Sequence, residues 1–445
     1  MNQRWTLHVE NFARIESADI EISPLMCFIG DNNSGKSYIM TLLWGIIANG
    51  QTILHYIFRK NFETESYIHC NGWLLKNIGQ AAKMTDEVEQ MYINWFNEIL
   101  VQYEDELVRK IFNHDITIGK IEIRNFLRPE KLFYQFWNTS KKIQGYTPKK
   151  NLRLVHISDV NDLSGIHFNL CWELLMEDLI IPTKALFGES MPVYLPSSRT
   201  GFLLARREIS DHAIENTFSL PISESNFQER FTAPYIKFLQ MLNNLSEPKK
   251  IDDPRKSQLI EFLNDEILHG NVNVKEDGKI IRYSPEDVTT ELPMSISSSI
   301  VTEIAPLLLL LTTRLPLRLI IIEEPEAHLH PALQKKIAQL LIRFAHNGIP
   351  IWITTHSDTI LQHFNNMIKL NNRSKEEREE LLKKFGYTDG DLLSPEEINL
   401  YQFERGNKHT MIQKLQSGKY GFVIPSFNKA VGRLMSEIFA FQEDD

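Results

Sequence analysis

The chain has 445 residues, 42% of them hydrophobic and 24% charged, with a formal net charge of −9. This length exceeds one compact core, so two or three subdomains are expected, and the composition is that of an ordinary soluble globular protein. The acidic balance excludes general electrostatic binding of nucleic acid and leaves only a local basic stripe for such a role.

In chain order, the first 29 residues read as strands. Thr6 to Val9 and Ala18 to Ile22 alternate in polarity, and Leu25 to Ile29 is an apolar run. That run leads into Gly30-Asp31-Asn32-Asn33-Ser34-Gly35-Lys36-Ser37 and a helical pattern from Ser37 to Ala48. Strand, glycine-bearing loop and helix in this order are what a phosphate-binding loop requires. Backbone N–H groups of Gly30, Asn32, Asn33, Ser34 and Gly35 can cradle phosphates at a helix N-terminus. Lys36 can bridge the β- and γ-phosphates, and the Ser37 hydroxyl can hold Mg²⁺. The expected ligands are ATP and Mg²⁺.

From Gln51 to Arg124 the period becomes helical, with Tyr92, Trp95, Phe96, Ile99 and Leu100 on one face. The lysine-bearing loop at 141–153 is the one local candidate for a nucleic-acid or acidic-partner contact, although such runs are ordinarily solvated. Cys27, Cys70 and Cys171 show no metal-type spacing, which fits a reducing compartment. Helices are expected over 165–188, 225–245 and 255–268, and a hairpin around Asp277-Gly278. The longest apolar run, Ile304 to Leu311, is too short to span a bilayer. With no signal-peptide pattern, a cytoplasmic protein with no membrane role is expected.

Leu319 to Ile322 is the strongest core strand and ends in Glu323-Glu324. Adjacent carboxylates at a strand end can take two roles, because neighbouring side chains point to opposite sides. Glu323 is assigned to Mg²⁺, and Glu324 to the general base that polarises the attacking water. The next strand, Pro350 to Thr354, leads to Thr355-His356-Ser357. His356, 32 residues after Glu324, can hydrogen-bond the γ-phosphate. Ser295-Ile296-Ser297-Ser298-Ser299 opens an apolar helix; these serines either cap it or present hydroxyls to a phosphate, and the order of motifs favours the second. Asp389-Gly390-Asp391 reads as a surface turn. Alternating apolar strands and helices argue for an α/β fold with a mixed sheet covered on both faces.

Together, the loop at 30–37, the serine cluster, Glu323-Glu324-Pro325-Glu326-Ala327-His328-Leu329-His330-Pro331 and Thr355-His356-Ser357 resemble the ABC-type ATPase heads of the OLD, RecF and SMC group. The acidic string and Tyr194 to Arg199 resemble, more narrowly, the stand-alone ATPases of bacterial anti-phage systems such as Septu and PARIS. The resemblance implies an ABC-type P-loop head built from 1–50 and 293–370. A strand–helix–hairpin segment is expected at 191–292, and C-terminal strands with a closing helix at 371–445; the resemblance does not account for the helical insertion expected at 51–190. It implies a homodimer or higher homo-oligomer formed around ATP, with Ser297 or Ser298 contacting the γ-phosphate of the other subunit and Glu326 to His330 at the junction. Arg199 would make a γ-phosphate or cross-dimer contact. A separate effector, a nuclease or toxin, would be the regulated partner; the alternative is a RecF-like DNA-binding clamp. Two departures, the absent signature glycine and Glu323 in place of the usual Asp, imply slow hydrolysis.

Overall fold

The computed structural model describes residues 3–48, 50, 64–138, 152–157, 163–182, 192–218, 231–245, 253–276, 278, 280–312, 317–418, 420–424 and 435–441. A nine-stranded mixed sheet organises them. Its strands are β1 (Arg4–Phe12), β2 (Ile15–Glu21), β3 (Leu25–Gly30), β4 (Lys120–Leu127), β5 (Val193–Leu195), β6 (Ile320–Glu323), β7 (Ile351–Thr354), β8 (Ile398–Arg405) and β9 (Thr410–Leu415). Their order across the sheet is β4-β1-β2-β9-β8-β3-β7-β6-β5. The half from β8 to β5 is parallel throughout, while β1 pairs antiparallel with both β2 and β4.

The parallel half is buried on both faces, as its unbroken apolar strands require. Met26 and Phe28 of β3 point into one core, and Cys27 and Ile29 into the other. The first core includes α1 (Lys36–Ala48) and α2 (Asp86–Phe112). α1 is apolar nearly all round because it lies between the sheet and α2, and Gly45 lets the two helices touch. A Cβ there would stand 2.2 Å from Ile111 Cδ1. On the other side of the sheet, α3 (Arg199–Phe218) and α4 (Ala233–Asn243) precede the hairpin at 270–285. They share the second core with α5 (Ser299–Thr312), α6 (Pro331–His346) and α7 (Asp358–Asn371).

Three expectations change. The insertion is not purely helical: β4 extends the main sheet, and Ala81–Lys83, Phe133–Asn138 and Leu152–Ile157 form a small sheet of their own. The alternation of Ile121 and Ile123 with Glu122 and Arg124 carried that signal within a stretch taken as helical. Asp389 and Gly390 are exposed on a short turn, but the Asp391 side chain is fully buried and holds Arg343 through contacts of 2.5 and 3.0 Å. The first C-terminal strand, β8, is no appendage but lies directly beside the P-loop strand. Of the basic loop, residues 141–151 lie outside the described residues, and Arg153 is committed to Glu173 and Asp178.

Gly30 ends β3 at φ 130°, and a Cβ there would fall 2.0 Å from the Phe403 carbonyl oxygen of β8. Gly30→Ala must therefore spread β3 from β8 as well as strain its own backbone. A loss of at least about 1–3 kcal/mol is expected in urea unfolding; an unchanged midpoint would contradict this packing.

Candidate nucleotide site

The sheet register delivers the motifs to one edge. Across three parallel strands, Phe28 pairs with Thr354, and Thr354 with Glu323. β3 and β6 are thus separated by a single strand, about 10 Å apart at the usual strand spacing. The chain segments that follow them, Asp31 to Lys36, Glu324 to His330 and Thr355 to Ser357, emerge together. This is the carboxyl edge at which open α/β sheets bind ligands.

A cavity of about 740 Å³ opens there. Asn32 to Tyr38 form one wall, and Glu324, Thr354 and His356 lie opposite. Ser37 is exposed to the cavity. Ser34 is 1% exposed, and its hydroxyl has no hydrogen-bond partner among the described residues. Asn33 and Gly35 take positive φ (59° and 97°), which turns the loop around its centre. Lys36 is buried and donates to the carbonyls of Gly30 and Asp31, at 2.8 and 2.7 Å. An orphaned hydroxyl and a buried ammonium satisfied only by its own loop fit a polyanion's phosphate in the cavity.

Glu324 lies in the left-handed region, at φ 45°, which for a side-chain-bearing residue marks local strain. Its N–H donates to the Thr354 carbonyl at 2.9 Å, which pins the turn. The carboxylate, 44% exposed, stands 4.0 Å from His356 Nε2. Burial, then the neighbouring Lys36 ammonium, lowers the pKa of His356, so the ring is neutral at pH 7. Glu326 joins the two loops: its Oε1 accepts from Thr355 Oγ1 and from the His356 N–H, both at 2.7 Å. Its Oε2 is buried without a partner among the described residues, and burial raises the carboxyl's pKa.

Glu323 is 3% exposed and sits behind the cavity wall rather than in it. Its Oε2 accepts from the Ser197 N–H at 3.2 Å and the Tyr235 hydroxyl at 3.1 Å. The serine cluster is also outside the cavity lining: Ser298 is exposed at the start of α5, and Ser297 donates to the Pro293 carbonyl. His330 caps α6 by accepting from the Ala332 N–H, and His328 is exposed 3.8 Å from Glu303.

Arg199 departs from the phosphate or cross-dimer contact expected of it. It is 2% exposed and donates to the carbonyls of Pro196, Glu303, Glu323 and Glu324. Its guanidinium also pairs with the Glu303 carboxylate at 2.9 Å. It is a buried tie between the acidic strand end and α5. Two cavity residues were missed from sequence, Arg14 in the β1–β2 turn and Arg405 at the end of β8. Neither lies in a motif; only the pairing of β8 with β3 and the β1–β2 turn bring them to the loop.

Residues 6–361 match the model of the AAA ATPase domain. The chain belongs to that family. Family membership makes this AAA ATPase domain an ATP-binding ATPase. No curated protein matches it. Solved structures similar to it include an SMC head bound to the C-terminal winged-helix domain of ScpA, at 12% identity over 92% of this chain and 97% of that one, with a TM-score of 0.37. An SMC head domain from Thermotoga maritima is 10% identical over 94% and 100%, with a TM-score of 0.34. Among the described residues of this AAA ATPase domain, no helix is long and apolar enough to cross a membrane.

Two predictions follow from the site's electrostatics. Burial holds Lys36 down to about 8 against the upward pull of Glu324, Asp31, Glu326 and Glu323. The ammonium is present below that pH and lost above it. ATP affinity should therefore weaken by up to about tenfold per pH unit above 8. Calorimetric titration from pH 6.5 to 9.5 reads this directly, and Lys36→Arg should flatten the profile. Arg199→Met leaves Glu303 buried without its cation, a change expected to cost about 3–5 kcal/mol in chemical unfolding. If that variant instead keeps wild-type stability and loses only ATP affinity, Arg199 is a phosphate contact after all.

Proposed function

We propose that this ATPase works as a pair of heads closed around ATP and that the closed state controls a separate effector protein. What supports the pairing above all is the exposed serine cluster. Ser297 and Ser298 stand at the N-terminus of a 14-residue helix, yet the chain's own nucleotide cavity contains neither. A second copy could bring them to the γ-phosphate.

Within the head, Gly30 to Gly35 and Lys36 hold the phosphates. Ser37, with Glu323 behind it, is suited to Mg²⁺, which would supply charge neutralisation at the phosphates. Glu324 takes the proton of the attacking water, and neutral His356 positions itself by hydrogen bond to the γ-phosphate. The strained Glu324 turn and the Glu326 bridge set the spacing of these two side chains. Burial of Glu323, together with a serine cluster lacking glycine, favours slow turnover and a long-lived closed state. An effector of the nuclease or toxin class in phage defence is favoured by the acidic string that resembles those ATPases.

Glu324→Gln keeps ATP binding but loses water activation. In light scattering it should double from 51.8 kDa when ATP and Mg²⁺ are added, and Ser298→Arg should prevent the doubling. An unchanged mass overturns the paired-head reading. Captured from native cells in the same state, Glu324→Gln should carry a nuclease or toxin in stable ratio. DNA with repair proteins alone would favour the RecF-like clamp.

A further inference from the structure

A second cavity, of about 600 Å³, lies between α6, α7 and the helix Lys375–Phe385. That volume falls within the range of small-molecule sites, about 300–1,000 Å³. Its wall is amphipathic. Met367, Leu370, Leu381 and Phe385 supply apolar surface, and Lys335, Lys369 and Arg373 outnumber a single acid, Asp358. The Lys335 ammonium stands 5.1 Å over the ring of Tyr387, which also lines the cavity.

His363 makes this more than a surface groove. It is 3% exposed, it lines the cavity, and its Nε2 has no hydrogen-bond partner among the described residues. Burial, with Lys335 adding to it, holds its pKa down to about 4, so the ring is neutral. A buried polar nitrogen left unpaired is costly in the folded state, which marks the His363 side of this wall as incompletely satisfied.

We propose that this cavity binds a small amphipathic anion. An aromatic or aliphatic body would lie against Met367, Leu370, Leu381 and Phe385, and a carboxylate, sulfonate or phosphate would face Lys335, Lys369 and Arg373. The site also has a route to the nucleotide. Pro331 and Ala332 open α6 directly after the Glu326–His330 loop, Asp358 and Thr359 open α7 directly after the His356 loop, and all four line the cavity. Resting on the assignment of those loops to ATP turnover, an occupant wedged between the two helix starts shifts the spacing of Glu324 and His356.

The full-length protein titrated with 8-anilinonaphthalene-1-sulfonate, an aromatic sulfonate of suitable size, tests this. Saturable fluorescence at one probe per chain is expected, with amide exchange slowed at 358–373 and 381–387. Lys36→Ala should bind the probe as wild type does, which separates this cavity from the nucleotide site. Lys369→Glu combined with Arg373→Glu should weaken the probe at least tenfold. Equal binding in that folded double variant, or protection confined to the P-loop, overturns the proposal. Should the double variant fail to fold, the exchange map of the wild-type protein decides alone. The probe should also change the ATPase rate of the wild type and not of the double variant. Binding mapped to the cavity with turnover unmoved overturns the coupling and leaves the site standing.

Discussion

The alignment of three parallel strands is the constraint on which the site depends. Because Phe28, Thr354 and Glu323 are level across β3, β7 and β6, three separate loops leave the sheet at one height. A one-residue slip of any of them would turn its whole side-chain set to the other face. That slip is opposed from both sides, since alternate residues of each strand are buried in different cores. The position of the site is thus a by-product of hydrophobic burial, with backbone hydrogen bonds holding the register.

Two polar residues convert that position into geometry. Glu326 gathers the Thr355 hydroxyl and the His356 N–H on one carboxylate oxygen, which ties the acidic loop to the histidine loop. Arg199 gathers carbonyls from the acidic strand end and from α5 around a buried guanidinium. In a dry interior such charge-assisted contacts are strong only when every partner is in place. These ties connect the acidic strand end to α5, the helix that Ser297 and Ser298 precede. The strain at Glu324 sits at the junction of the two ties, where a turn held by the Thr354 carbonyl can be tightened or released.

The insertion joins the sheet at one edge, and the C-terminal segment enters its middle. β4 extends the antiparallel edge, and α2 lies on α1 at Gly45, so the insertion is built into the head. β8 enters beside β3 and sets its Phe403 carbonyl against Gly30, which leaves glycine the one residue that fits. Sequence distance from the P-loop is no guide here: β8, one of the two strands that flank the P-loop strand, comes from more than 360 residues later.

By itself the sequence determined the α/β class, and it singled out the loop at 30–37, Glu324 and His356, which the fold brings to one cavity. Those signals are local: glycines where the backbone must turn, apolar runs ended by carboxylates, and a periodicity that changes from two to 3.6. The same locality explains the misses. Arg199 carries no sign in its neighbours that Glu303, a hundred residues on, will pair with it in the interior. Asp391 read as a turn because the Arg343 that pairs with it lies on another element. β4 alternated visibly but was absorbed into a helical stretch, since an edge strand gains its stability from the partner it pairs with. Arg14 and Arg405 became cavity residues only once strands from the two ends of the chain were paired. Tertiary structure decided these points because burial and ion pairing depend on distance in space, which no window of sequence contains.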